Sequence, residues 1–113
     1  MVKIANKYQN ETNIALDFNK VHIEHIMPEN NSKWEISEKD HTDYLWRLGN
    51  LTLLGANFNK RNSNKKFSEK KKGYSDSDIN LTKKLLTYDD WGVKQIQLRQ
   101  EELTAMALSI WTK

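Results

Sequence analysis

The sequence contains no cysteine, one proline (Pro28) and four glycines among its 113 residues. The first absence excludes disulfides and every zinc site built on thiolates. A bound metal would have to sit among His, Asn, Asp and Glu side chains, a donor set that points to a hard divalent ion such as Mg²⁺ or Mn²⁺. The glycines are too few and scattered to form a P-loop or another Gly-rich phosphate cradle. No window approaches the roughly 18 apolar residues of a membrane span, and the N-terminal "MVKIANKYQN" lacks the apolar run of a signal peptide. The expectation is a soluble, cytoplasmic protein with no membrane partner. Apolar residues are scarce overall, at 37% and a mean hydropathy of −0.84. A single domain of this length buries only a small core. Four tryptophans, Trp34, Trp46, Trp91 and Trp111, are expected to supply much of it.

The net charge of +3 is modest, so its distribution matters more than its size. Residues 60 to 72 read "KRNSNKKFSEKKK", with Lys60, Arg61, Lys65, Lys66, Lys70, Lys71 and Lys72 against one acid, Glu69. Such a run can be a solvated helix face. It can equally track phosphates, because clustered Lys and Arg release counterions from nucleic acid and interleaved Asn and Ser hydrogen-bond phosphate oxygens.

Residues 1 to 17 show no clear periodicity and read as a polar lead-in. The apolar positions Phe18, Val21 and Ile23 alternate imperfectly, which predicts a short strand closed by Pro28. "SEKDHTDYLWRLG" predicts a helix with Ser37 as N-cap and Gly49 just past its end. "LTLL", residues 51 to 54, is β-prone and is broken by Gly55. Short helices are expected around "ANFNKR" and "NKKFSEKKK", and "SDSDINLTKKLLTY" offers several N-caps before Leu85 and Leu86. Ile96, Leu103, Ala107 and Ile110 recur at helical spacing between Trp91 and Trp111, which predicts a terminal amphipathic helix. Arg99 interrupts that stripe. Its stem could pack while its head reaches water, or it could pair with a buried carboxylate or point toward a site.

The stretch "HIEHIMP", residues 22 to 28, carries the chemistry. On a strand, Val21, Ile23 and His25 share one face while His22 and Glu24 share the other. A carboxylate beside an imidazole suits metal-assisted hydrolysis, the carboxylate holding a cation and the neutral imidazole taking a proton from water. A His-x-x-His pair is also often structural, and this one lacks the helical His-Glu-x-x-His order of zinc peptidases. Downstream, "LGNLTLLGANFNKRNSNKKF" puts Asn50 at the start of a β-prone segment and Asn59 nine positions later, on a predicted helix.

Together, "HIEHIMP" and "LGNLTLLGANFNKRNSNKKFSEK" resemble the HNH-like C-terminal nuclease domain of GmrSD-type modification-dependent restriction systems. The ending "W…IQLR…L…A…IW" agrees with that domain's tail, so the resemblance covers about residues 21 to 111. It implies an α+β fold in which a ββα-metal HNH core carries additional helices, including the C-terminal amphipathic helix, with residues 18 to 113 as the nuclease domain. The implied activity is metal-dependent hydrolysis of phosphodiester bonds in foreign or modified DNA, within a restriction or antiviral defence system. His25 is implied as general base, Glu24 as an acidic metal ligand, and Asn59 as a catalytic residue and ligand through its amide oxygen. The resemblance makes Asn50 the catalytic-motif residue that ties the loop together, and His22 a supporting group. Lys60, Arg61, Ser63, Asn64, Lys65, Lys66 and Lys70 are the implied nucleic-acid contacts, and Mg²⁺ or Mn²⁺ the cofactor. Recognition and NTP-driven control are implied to reside in a separate upstream domain or subunit. A non-catalytic DNA-binding version of the fold and an RNA-cleaving toxin are the alternatives.

Overall fold

The computed structural model describes residues 21–55, 65–77 and 79–111. Its centre is a two-stranded antiparallel sheet, β1 (Val21–His25) and β2 (Leu51–Gly55), in the register His22 opposite Leu54, Ile23 opposite Leu53, Glu24 opposite Thr52 and His25 opposite Leu51. Four helices surround it among the described residues: α1 (Glu38–Tyr44), α2 (Phe67–Ser75), α3 (Asn80–Lys83) and α4 (Val93–Trp111). The fold is α+β. The strand expected from Phe18 begins its described part at Val21, and the short helix expected around "ANFNKR" lies outside the described residues.

Local signals account for α1. Ser37 is extended, with φ −67° and ψ 152°, and its hydroxyl accepts the amide of Asp40 at 3.1 Å, as an N-cap should. Glu38 and Asp40 place negative charge in the first turn, where the helix dipole favours it. The helix stops at Tyr44, short of the predicted end, and a 3₁₀ turn spanning Leu48–Asn50 leads into β2. Gly49 is therefore not a helix stop. A Cβ there would collide with the carbonyl oxygen of Ile96 and lie 2.9 Å from the amide of Gln100, so glycine is needed for the turn to lie directly against α4. The Gly49 amide donates to the Gln100 side-chain oxygen across the same contact.

On α2, Phe67, Lys70 and Tyr74 fall on one face and are all buried. On α4 the buried stripe runs through Ile96, Arg99 and Leu103. The core joins Ile26, Met27, Leu54, Phe67, Tyr74, Leu85, Trp91 and Ile96, with Trp34, Ile36, Tyr44, Leu86 and Tyr88 packed against it. Trp91 is its aromatic hub, stacked on Phe67 with centroids 5.4 Å apart and meeting Tyr88 edge-on at 5.1 Å. Trp34 and Trp91 thus act as expected, but Trp46 does not, since it is 66% exposed. It follows the last turn of α1, a helix with no fully buried residue, and faces away from the core. The expected core role of Trp111 falls outside the described side chains. α3 docks through hydroxyls: Thr82 shares a hydrogen bond with Thr52 at 2.9 Å and donates to the Leu53 carbonyl.

The close approach at Gly49 yields a stability prediction. Gly49→Ala should force the 3₁₀ turn off α4 and cost roughly 1–3 kcal/mol, as overpacking does. A urea midpoint shift of that size, with Gly92→Ala nearly neutral because its added Cβ meets only a side-chain oxygen at 3.6 Å, is the check.

Candidate active site around His25 and Asn50

Asn50 ends the 3₁₀ turn just before β2 and is 0% exposed. All four hydrogen-bonding sites of its carboxamide are used. Its oxygen accepts the amide of Met27 at 2.8 Å and the indole N–H of Trp91 at 3.0 Å. Its nitrogen donates to the carbonyls of Met27 at 2.9 Å and Leu45 at 3.0 Å. The Asn50 backbone oxygen also accepts the amide of Ile26 at 2.8 Å. One residue therefore joins the turn after β1, the segment after α1 and the aromatic core. Sealed from solvent, its side chain braces the surrounding backbone.

Arg99 turns its head inward. Its guanidinium donates to the carbonyls of Gly49 at 2.9 Å and Leu51 at 2.6 Å, the two residues flanking Asn50. The long α4 helix is thereby tied to the start of β2 through backbone carbonyls, a partner that the sequence reading of this residue did not name.

His25 ends β1 on the face opposite Glu24 and is half-buried. Its ring meets Trp46 edge-on, with centroids 4.3 Å apart. The buried Nε2 has no hydrogen-bond partner among the described residues. Burial holds the imidazole pKa below its ordinary value; the Glu29 carboxylate opposes that shift, while Lys70 and His41 add to it. An imidazole with a lowered pKa is neutral near pH 7 and can accept a proton. The nearby His41 has a different task. Its Nε2 lies 2.8 Å from the carbonyl of the buried Pro28 and so secures the turn that follows His25.

Glu24 points the other way and is 3% exposed. Its carboxylate accepts the Tyr74 hydroxyl at 2.6 Å and lies 3.5 Å from the Lys70 ammonium. Lys70, 0% exposed, also donates to the backbone carbonyl of His25 at 2.9 Å. Burial raises the Glu24 pKa against the opposing pull of Lys70 and Tyr74, and lowers that of Lys70 against the pull of Glu24. Tyr74 stays a neutral donor, its pKa pushed well up by burial and by Glu24. His22 shares Glu24's side of the strand, half-buried, its Nε2 without a hydrogen-bond partner among the described residues.

Several site residues expected from the sequence lie elsewhere. Asn59, Lys60, Arg61, Ser63 and Asn64 are outside the described residues. Lys66 and Lys72 are exposed and Lys65 is half-buried. Lys70 leaves the phosphate-facing set because its ammonium is buried against Glu24, and Lys71 donates to the Tyr88 carbonyl at 2.7 Å. Of the two ligands that the resemblance implies for a metal, Glu24 is described and Asn59 lies outside the described residues. No three His, Asp or Glu side chains gather among them, and Glu24, buried and already paired with a cation, presents no free carboxylate. Sequence reasoning passed over Tyr74, Lys70's inward role and Trp46. The first two were detectable, because Lys70 and Tyr74 fall three and seven positions after Phe67 and so share its helix face.

With this geometry in place, the chain can be compared with known proteins. Residues 2–106 match the family described as GmrSD restriction endonucleases, C-terminal domain. The chain belongs to that family. The match begins at residue 2, inside the stretch that reads from sequence as a polar lead-in. No curated protein sequence matches the chain. Among the described residues of this GmrSD C-terminal domain, no helix is long and apolar enough to cross a membrane.

Asn50→Ala should strand the Met27 amide, the Trp91 indole and two carbonyls in the interior. At about 1–3 kcal/mol for each buried group left unpaired, the loss should be several kcal/mol, visible as a large fall in thermal midpoint. Asn50→Asp, which sets an uncompensated buried carboxylate against the carbonyls of Met27 and Leu45, should cost at least as much as Ala.

Proposed function

We propose that this domain is the DNA-cleaving unit of a restriction endonuclease and that His25 is its general base. The observation that carries the reading is the place of His25: a half-buried imidazole, its pKa lowered by desolvation, at the end of a strand whose backbone is pinned on both sides. Family membership supplies the reaction class. In this reading His25 takes a proton from a water molecule, the resulting hydroxide attacks the phosphorus in line, and the 3′ oxygen departs. Asn50, Arg99 and Lys70 act on His25 through the backbone and not on the substrate.

The exposed lysines Lys66 and Lys72, with Lys65 beside them, are proposed to hold the phosphate backbone without reading bases. Lys60 and Arg61, which precede them in the same run, belong to the same proposal. Selection of foreign or modified DNA is assigned to a separate domain or subunit, together with NTP-driven control, for which this sequence carries no P-loop.

The direct test is plasmid nicking. His25→Ala should lower the rate by about 10²–10⁴-fold, the usual contribution of a general base, while the thermal midpoint stays near wild type. His22→Ala should cost much less, since His22 lies on the other face of β1. Wild-type nicking by His25→Ala would overturn the assignment, and cleavage of RNA but not plasmid would change the substrate. Chelation by EDTA provides a second arm. Loss of nicking would put a cation in the reaction, and persistence would remove it.

The pH dependence has a definite sign. A base must be deprotonated to act, and the His25 pKa lies below the ordinary imidazole value of about 6.5. The nicking rate should therefore be near its plateau at pH 7 and fall only as the pH drops through that lowered pKa. An acid limb centred above about 6.5 would be inconsistent with His25 as the titrating base.

Binding supplies an independent prediction. Replacing Lys65, Lys66 and Lys72 by Ala should weaken DNA binding equally for all sequences. The slope of log K against log salt should shrink by about 0.9 for each phosphate that the variant no longer neutralises. An unchanged slope would make these lysines a solvated face.

A further inference from the structure

A small domain with little apolar surface nevertheless buries a complete ion pair, Lys70 with Glu24, at 0% and 2% side-chain exposure. Burying such a pair is costly, and apolar replacements are often as stable. Its presence asks for a reason beyond stability. The hydrogen bonds supply one. The peptide unit between His25 and Ile26 is held at both ends: the His25 carbonyl accepts from the Lys70 ammonium at 2.9 Å, and the Ile26 amide donates to the Asn50 carbonyl at 2.8 Å. Rotation of that peptide plane would swing the His25 side chain, so the two bonds together set its direction. Glu24, fixed in turn by the Tyr74 hydroxyl at 2.6 Å, supplies the negative charge that lets Lys70 remain an ammonium in the interior. A divalent cation on the same carboxylate would stand within a few ångströms of the Lys70 ammonium, two positive centres competing for one negative group.

We propose that Lys70 is a positioning residue for His25, holding its backbone carbonyl, and that Glu24 is the buried counter-ion of Lys70 and not a ligand for a catalytic cation. The functional part rests on His25 being the base; the hydrogen bonds and the ion pair do not.

The experiment uses the full chain and the variants Lys70→Met, Glu24→Gln and the double variant Glu24→Gln/Lys70→Met. The double variant removes both buried charges at once, which guards against a misfolded single variant. In wild type, NMR should detect a coupling across the hydrogen bond between Lys70 Nζ and the His25 carbonyl carbon. That carbon's shift should move in Lys70→Met and in the double variant. In nicking assays well below the thermal midpoint, the double variant should lose roughly 10- to 100-fold in kcat, the scale of small misplacements of a reacting group, with KM unchanged. Glu24→Gln should bind Mn²⁺, measured by calorimetry without DNA, within twofold of wild type, including the case in which neither binds. Wild-type kcat in the double variant, or no Lys70 to His25 coupling in wild type, would overturn the positioning role. A tenfold or greater loss of Mn²⁺ affinity in Glu24→Gln would restore Glu24 as a cation ligand. If wild type cuts nothing, the proposed function fails, while the NMR and Mn²⁺ measurements still decide both halves of this inference.

Discussion

The carboxamide of Asn50 is the constraint on which the rest of the site depends. It has two acceptor and two donor positions, and each is matched inside the protein: by Met27 twice, by Leu45 and by Trp91. These partners come from the turn after β1, the segment after α1 and the approach to α4, three stretches far apart in sequence. Few side chains could take this place. An apolar residue would leave buried N–H and C=O groups unpaired, and a carboxylate would lack the donors. Once Asn50 is seated, β2 must start at Leu51, Ile26 and Met27 must turn into the core, and His25 is left at the strand end with its Nε2 outside the hydrogen-bond network.

Charge in the interior follows the same logic. Glu24, Lys70 and Arg99 are all buried, and each has a specified partner: Glu24 and Lys70 each other, Arg99 the carbonyls on either side of Asn50. Buried charge is tolerated only when it is compensated. Here the compensating bonds of Lys70 and Arg99 reach the backbone of the β1 to β2 unit. The result is a backbone with little freedom beneath a side chain, His25, that remains neutral because it is partly desolvated. That combination suits proton transfer better than a flexible, solvated histidine would.

The basic run illustrates how one sequence feature can serve two ends. Lys66 and Lys72 face solvent, whereas Lys70, which lies between them in sequence, is buried and Lys71 is drawn to the Tyr88 carbonyl. Helical periodicity separates them: Lys70 lies three residues after Phe67 and four before Tyr74, on the buried face, and its neighbours do not. Counting lysines overstates the surface available to phosphates. Membership in the GmrSD C-terminal domain family is consistent with a nucleic-acid substrate, but the surface that would meet it is narrower than the run of charges implies.

Much of this protein was legible in the sequence alone. Alternation marked β1, the Ser37 cap marked the start of α1, the apolar repeat marked α4, and the paired motifs around His25 and Asn50 pointed to the family. These are local properties, written in the spacing of neighbouring residues along the chain. Only the tertiary structure decided what each polar group faces. Arg99 could have sent its head to water, and it turns inward to hold two carbonyls. Gly49 has the look of a helix stop and instead makes room for α4. Trp46 has the composition of a core residue and instead lies exposed against His25, while Lys70 sits in a surface-like charge run and is buried. The physical reason is common to all four: their surroundings are made by segments distant in sequence, and burial, pairing and close approach exist only once those segments have packed.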